Sequence, residues 1–290
     1  MPSILEIVSI LYGTVTMFAW GSGDFLAKRI VGDVGYYRLM LYVQLVYQPL
    51  LILLAALFTP SLPSSLETTG LLFVSGILGF LCVILFYKAI SQGSASIVIP
   101  IYSTYSIVAI VLSFVLLGEI LSPAQGTCVA VVVLGVLFVS LKLGSAGRVN
   151  VGALYALGAM LFMGFNAVLF KLISIEIGGI GTLFFNRMLV LLISLIMFPF
   201  FDEPAIRTSG RASLRSILAV GLTQGAGIST FVIGLALGLV SVITPIANAS
   251  PAVTVVLAYV FLKEKLVRIH KIGIAFIILG IVILSILSST

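Results

Sequence analysis

The 290-residue chain is 61% hydrophobic and 8% charged, with a mean hydropathy of +1.32 and a formal net charge of +6. About a quarter of the residues in a soluble domain are charged, so this composition excludes an ordinary soluble globular protein. Basic residues stand mainly at the ends of apolar segments. Their placement indicates a role in membrane orientation and argues against nucleic acid as a partner.

Ten apolar segments are predicted as transmembrane helices, because each is long enough to cross a hydrocarbon core of about 30 Å. Their continuous apolar character favours helices over the alternating strands of a membrane barrel. We therefore predict an all-α, multi-pass protein of the inner or plasma membrane with ten transmembrane helices. The segments span residues 6–27, 36–58, 70–90, 94–117, 124–142, 151–171, 180–201, 216–237, 240–262 and 270–288.

The second half of the chain repeats the pattern of the first half. A turn glycine, a proline, a glutamate and a helix glycine recur at a spacing of 145 residues, in the pairs Gly93 and Gly238, Pro100 and Pro245, Glu119 and Glu264, and Gly135 and Gly280. This spacing predicts two five-helix repeats, residues 1–145 and 146–290. Because five is odd, the repeats have opposite orientations and form an inverted 5+5 repeat. One chain then supplies both halves of a central site, which predicts that a monomer is sufficient.

The distribution of basic residues predicts an orientation. All but two of the 15 Lys and Arg residues fall at one predicted membrane face, while Lys171 and Arg187 lie toward the other. Basic loops stay preferentially in the cytoplasm. The charge pattern therefore predicts that both termini, which carry no Lys or Arg, face outside.

Polar and aromatic side chains inside the apolar segments predict a central cavity, because such groups are costly in lipid unless they face a cavity or a partner. The candidate substrate-binding residues are Trp20, Tyr87, Tyr102, Tyr105, Asn166, Gln224 and Asn248. Aromatic faces suit an apolar or cationic group, and amides supply both donors and acceptors. This set favours a zwitterion or a neutral metabolite over a phosphate ester, which calls for several buried Arg or Lys residues.

Two charged residues within the segments have alternative interpretations. Asp24 lies four residues before Lys28, a spacing typical of an ion pair on one helix face. The alternative makes Asp24 a gate residue or a proton site. Arg187 is either an anion-binding residue or a residue that bonds a neighbouring helix or extends to the membrane surface.

Prolines, glutamates and glycines predict the local geometry of the helices. Pro100 and Pro245 each remove a backbone hydrogen bond and are candidate helix-break and gating positions, with a simple kink as the alternative. Glu119 and Glu264 lie in turns, where we expect them to cap adjacent helix ends. Small residues four apart in the eighth segment, such as Gly221 and Gly225, predict close helix packing.

Together these features resemble a ten-helix member of the drug/metabolite transporter superfamily, of the EamA type. The resemblance covers nearly the whole chain and is carried by Trp20-Gly21, Gly118-Glu119, Lys263-Glu264, Gly135 and Gly280. It implies import or export of small metabolites through a cavity framed by segments 1, 3, 4, 6, 8 and 9. It also implies cytoplasmic termini, the opposite of what the charge pattern predicts.

The chain departs from the small multidrug-resistance relatives of that superfamily at one position in each half. Those relatives carry a buried Glu eight residues before a Lys at the end of their first helix. The residue eight before Lys28 is Trp20, and the residue eight before Lys171 is Met163. The departure argues against a proton-driven multidrug antiporter.

We interpret the chain as a non-enzymatic transporter of small metabolites that works by alternating access, with amino acids or related zwitterionic or neutral compounds as the expected substrates. The alternative within transport is a drug or organic-cation efflux pump that uses Asp24. A membrane enzyme or a structural membrane subunit is a different class of function, but no nucleophile–base pair or metal-ligand cluster is visible in the sequence. No cofactor or metal is expected, and the expected partners are the small-molecule substrate and the lipid bilayer.

Overall fold

A computed structural model describes residues 4–93, 95–140, 151–201, 214–262 and 268–287. Its elements are α-helices, with a π-helical turn at Ser113–Leu117 and a 3₁₀ turn at Phe198–Phe200; no strand occurs within these ranges, so the all-helical prediction is confirmed. The helices are α1 (Ile4–Val34), α2 (Tyr36–Phe58), α3 (Leu66–Gln92), α4 (Ala95–Ser103), α5 (Tyr105–Leu112), α6 (Pro123–Ser140), α7 (Val151–Met197), α8 (Leu214–Leu237), α9 (Val240–Ala247), α10 (Ser250–Leu262) and α11 (Arg268–Leu287).

Length and composition mark the protein as a multi-pass membrane protein. Five helical stretches of the described chain are long and apolar enough to cross a membrane: Tyr36–Phe58, Leu66–Gln92, Val151–Phe200, Leu214–Leu237 and Val240–Phe261. Large apolar side chains also point outward, since Phe58, Phe114 and Phe261 are 61%, 62% and 67% exposed. Water would not favour so much exposed apolar surface, whereas lipid chains solvate it.

Helix α7 has a kink that divides it into two parts. At 1.5 Å per residue its 47 residues would extend about 70 Å, more than twice the thickness of a hydrocarbon core. Gly178, with φ 71° and ψ 170°, interrupts the helix. A side chain at that φ would be strained, so glycine permits the chain to change direction there. The kink falls between the sixth and seventh predicted segments.

Two further helix interruptions lie within one residue of matching positions in the two halves. The backbone at Thr104 (φ −74°, ψ −1°) and at Asn248 (φ −69°, ψ −6°) is nearly identical. The amides of Thr104 and Ala249 each donate to a carbonyl three residues earlier, which tightens the last turn of α4 and of α9.

The helices do not break at Pro100 and Pro245, so the prediction that these prolines are the helix-break positions is wrong. Pro245 lies buried inside α9, and the helix continues to Ala247. Pro100 belongs to α4, although its side chain lies outside the described part. The interruptions instead fall four residues after Pro100 and three residues after Pro245.

The packing of the helices follows the sequence repeat. Helix α1 packs along α8, α3 packs along α7, and α6 packs along α11. When the two halves of the chain are exchanged, the pair of α1 and α8 takes the place of the pair of α7 and α3. The pair of α6 and α11 takes its own place. The glycines of α8 permit the close approach that the sequence predicts, because Gly221 and Gly225 lie against Val46 and Tyr47 of α2. The proposed repeat boundary at residues 145 and 146, and Glu264, lie outside the described residues.

Candidate substrate cavity

A cavity of about 80 Å³ lies where α1, α2, α3, α4, α7, α8 and the α9–α10 break converge. Six of the seven predicted substrate-binding residues line it: Trp20, Tyr87, Tyr102, Asn166, Gln224 and Asn248. Tyr105 lies behind the wall, with its ring 5.5 Å from the ring of Tyr102. The structure therefore brings the predicted residues together, and their role in substrate binding stays a prediction. Asp24, a predicted gate residue, also lines the cavity, whereas Pro245 does not.

The second and seventh predicted segments also contribute to the cavity, which corrects the framing that the resemblance implied. Met40, Val43, Gln44 and Tyr47 line it from α2, and Arg187 lines it from the second part of α7. The signal in the sequence was Gln44, a polar residue in an otherwise apolar segment. Three of the four α2 residues are apolar or aromatic. For such residues the sequence does not indicate whether the side chain faces lipid, the protein core or a cavity.

Cys82 also faces the cavity. It is buried, and its Sγ lies 3.9 Å from the Tyr102 hydroxyl. The Trp20 indole forms another part of the wall and packs against Phe231, with ring centroids 4.9 Å apart. Gly227 makes room for that indole, because a Cβ at this position would collide with Trp20.

Asp24 does not pair with Lys28, the partner suggested by their spacing. Its Oδ1 accepts a hydrogen bond of 2.8 Å from Nε2 of Gln224. Lys28 Nζ instead donates to the carbonyls of Ile90 and Gly93, at 2.7 and 3.2 Å. The Asp24 carboxylate is therefore a buried group of the cavity wall, joined to α8.

Arg187 is buried beside the cavity and does not extend to the membrane surface. Only 5% of the residue is exposed. Its Nε and Nη2 donate to Oδ1 of Asn186, at 2.9 and 2.5 Å. A Cβ on Gly79 would lie 3.2 Å from Nη2 of Arg187, so glycine at this position of α3 leaves room for the guanidinium.

A chain of hydrogen bonds connects Arg187 to α3 and to the first part of α7. Asn186 Nδ2 donates to Ser75 Oγ at 2.8 Å, and Ser75 Oγ donates to Asn166 Oδ1 at 2.6 Å. All members of this chain are buried. A fully bonded polar network holds its members in a single arrangement, so Arg187 has a defined position in the wall.

Three buried polar atoms in the cavity wall have no hydrogen-bond partner within the described ranges. They are Gln44 Oε1, the Tyr87 hydroxyl and Asn248 Nδ2. An unpartnered buried polar group costs about 1–3 kcal/mol. The lining residues therefore hold hydrogen-bonding capacity that the described part of the chain does not use.

Charged side chains also hold helix ends around the cavity. Lys171 Nζ donates to the carbonyls of Ala236 and Gly238, which repeats the arrangement of Lys28 in the other half. Glu119 accepts from the amides of Val240 and Ser241, both at 2.9 Å, and from the Ser241 hydroxyl at 2.7 Å. Glu119 therefore caps a helix end, as predicted, but that helix is α9 of the other half and not a helix adjacent in sequence.

A second carboxylate fixes the residues just before α3, including the N-cap residue Ser65, and no sequence pattern indicated it. Glu176, just before the α7 kink, accepts from the backbone and side chains of Ser64 and Ser65. Its sequence neighbourhood is apolar and offers no capping pattern. Only the approach of α7 to the start of α3 shows its role.

Comparison with known proteins places these features in a family. The model of the EamA-like transporter family matches the chain twice, over residues 7–141 and 150–286. An uncharacterized protein of Methanocaldococcus jannaschii is 47% identical over 49 residues, which span 17% of this chain and 36% of that protein. A crystal structure of another protein covers 97% of both chains with a TM-score of 0.79 and 15% identity. This likeness shows a shared fold.

Proposed function

Because the chain belongs to the EamA-like transporter family, we propose that it carries small zwitterionic or neutral metabolites, with amino acids as the leading class, across the inner or plasma membrane. The observation that supports this proposal is the cavity wall itself. It combines one buried acid, one buried base and three unpartnered polar atoms around a small space. A wall of this kind suits a compact solute with several hydrogen-bonding groups.

Alternating access between two inverted five-helix repeats, residues 1–145 and 146–290, is the mechanism we propose. Three features support ten membrane crossings: the Gly178 kink within α7, the matching interruptions near Thr104 and Asn248, and the exchanged packing of α1 on α8 and α3 on α7. The interrupted helices meet at the cavity, as in other transporters with paired broken helices. One chain carries both repeats, so a monomer is the expected working unit.

The size and charge of the cavity argue against an organic-cation or drug pump. A volume of about 80 Å³ is well below the roughly 300–1,000 Å³ typical of sites for drug-sized ligands. Arg187 also lines the same space as Asp24, and its positive charge would repel a cationic drug. The wall therefore favours a small solute that is neutral overall.

Thermal stabilisation of the purified protein by a panel of amino acids tests the proposal. A solute that binds the folded state raises the melting temperature, and a tight binder present at a hundredfold excess over its Kd adds about 2.7 kcal/mol. Uptake of the same amino acids into proteoliposomes then distinguishes transport from binding. A structural subunit or a membrane enzyme would leave uptake at the level of empty liposomes.

A matched pair of tyrosine variants locates the binding site. Tyr87→Phe removes an unpartnered hydroxyl from the cavity wall, and Tyr105→Phe removes an unpartnered buried hydroxyl that does not line it. Neither change breaks a hydrogen bond within the described residues. We expect Tyr87→Phe alone to weaken the amino-acid effect. Stabilisation by lipophilic cations only would reject the proposal and favour the pump.

A further inference from the structure

The cavity wall contains an acidic and a basic side chain on two different helices. Asp24 of α1 and Arg187 of α7 are the acid and the base among the described residues that line it. Both are at least nine-tenths buried, with 8% and 5% of their surface exposed. No ion pair joins the two side chains, since each makes its hydrogen bonds to neutral groups.

The guanidinium of Arg187 has donors to spare. Its five N–H groups form a planar fork that matches a carboxylate. Nε and Nη2 donate to the single oxygen of Asn186, and the Tyr47 hydroxyl is a further neutral partner. A buried cation without a counter-charge is unfavourable, so an incoming carboxylate is strongly favoured there.

The Asp24 carboxylate can also accept further hydrogen bonds. Gln224 occupies Oδ1 with one hydrogen bond, and an ionised carboxylate accepts about four. Asn248 and Tyr87 add unpartnered polar atoms to the same wall. An ammonium group placed at Oδ2 would complete the charge balance of the cavity.

We propose that Arg187 binds the carboxylate and Asp24 the ammonium group of one zwitterionic substrate, so that these two residues determine selectivity for molecules carrying both charges. This inference rests on the proposed transport function and assigns its specificity to two residues. A solute with one charge leaves the opposite residue uncompensated. A site that hydrogen-bonds a substrate group strongly rejects an analogue lacking that group, because the buried protein partner is then left without a hydrogen bond.

Binding of single-charge analogues to the purified full-length protein tests this inference. The probes are L-alanine, L-serine and L-leucine, with the amide and the deaminated acid of each. Hydrogen bonds to charged groups predict that each analogue binds the wild type roughly tenfold to a hundredfold more weakly than its parent amino acid. Equal binding of the zwitterions and their analogues would overturn the inference.

Two substitutions should change selectivity in opposite directions. Asp24→Asn keeps the shape of the side chain and should favour the deaminated acids over the amino acids. Arg187→Gln should weaken the amino acids roughly tenfold or more while leaving the amides unaffected. A purely structural role would instead weaken all probes together. Because the Asp24 variant is isosteric, it remains informative if the Arg187 variant does not fold.

The outcomes separate this inference from the proposed function. If the wild type binds and transports the amino acids but both variants keep the wild-type order of the probes, the two-residue assignment is wrong and transport stands. If the wild type binds none of the three amino acids, the proposed substrate class is wrong and this inference is wrong with it. Glu67→Gln serves as the control, since it neutralises an exposed carboxylate in the first turn of α3, away from the cavity.

Discussion

Glu119 connects the turn between α5 and α6 to the start of α9, and removing its carboxylate should destabilise the protein. Helix α9 begins at Val240, and its N-cap residue, Leu239, has no side chain that can accept a hydrogen bond. The carboxylate of Glu119 instead accepts from the amides of Val240 and Ser241 and from the Ser241 hydroxyl, at 2.7–2.9 Å. Those amides belong to buried residues, so water cannot easily replace the lost acceptor.

The size of the effect follows from these contacts. Loss of an N-cap costs about 0.5–2 kcal/mol, and a hydrogen bond to a charged group contributes about 1.5–3 kcal/mol. We expect Glu119→Ala to lower the free energy of unfolding by about 2–3 kcal/mol, within the range of those two effects. For a chain of this size class, each kcal/mol lost from the free energy of unfolding lowers the melting temperature by about 2–4 °C. The melting temperature should therefore fall by several degrees. Glu119→Gln keeps an acceptor without the charge and should have an intermediate effect.

Thermal unfolding in detergent measures the change, with Glu67→Ala as the matched control. Glu67 is an exposed carboxylate in the first turn of α3, and its removal should cost less than about 1 kcal/mol. Combining Glu119→Ala with Ser241→Ala should be less than additive, since the two residues share a hydrogen bond. An unchanged melting temperature for Glu119→Ala, or full additivity with Ser241→Ala, would refute the capping argument.

Two other predictions concern packing and orientation. The methyl group added in Gly227→Ala would collide with Trp20, so we expect the free energy of unfolding to fall by about 1–3 kcal/mol and transport to weaken. The control is Gly70→Ala, whose added Cβ has nothing within 4 Å, and it should unfold and transport like the wild type. The charge pattern predicts that a membrane-impermeant maleimide labels Ser91→Cys from the cytoplasmic side only and Ser61→Cys from the outer side only. The reverse labelling would support the cytoplasmic termini implied by the family resemblance.

Local features of the sequence were sufficient for the helical membrane architecture and for much of the site. The helical class follows from long apolar runs, because backbone groups in lipid must bond within their own segment. Asn166, Gln224 and Asn248 were predictable as cavity residues, since an amide in an apolar segment needs a polar partner. The position of Glu119 in a turn predicted a capping role, but not that the capped helix would be α9 of the other half.

The partners of charged residues were less predictable, because sequence spacing describes only one helix at a time. The i,i+4 spacing of Asp24 and Lys28 suggested a pair, yet Gln224, 200 residues away, bonds Asp24. A glycine at position 23 permits this contact, because a side chain there would collide with Gln224. For Arg187 the sequence left anion binding, bonding to a neighbouring helix and extension to the membrane surface open, and only the packed helices place it at the cavity, where Gly79 leaves room for its guanidinium.

The sequence by itself determined that this chain is helical, lies in a membrane and carries two related halves, because apolar length and repeated turns are local properties of the chain. Tertiary structure decided where the helices break, which face of α2 enters the cavity and which polar groups meet there. Those outcomes depend on the close approach of helices at glycines and on hydrogen bonds between distant segments. The placement of Asp24 and Arg187 in one cavity is therefore a property of the packed helices.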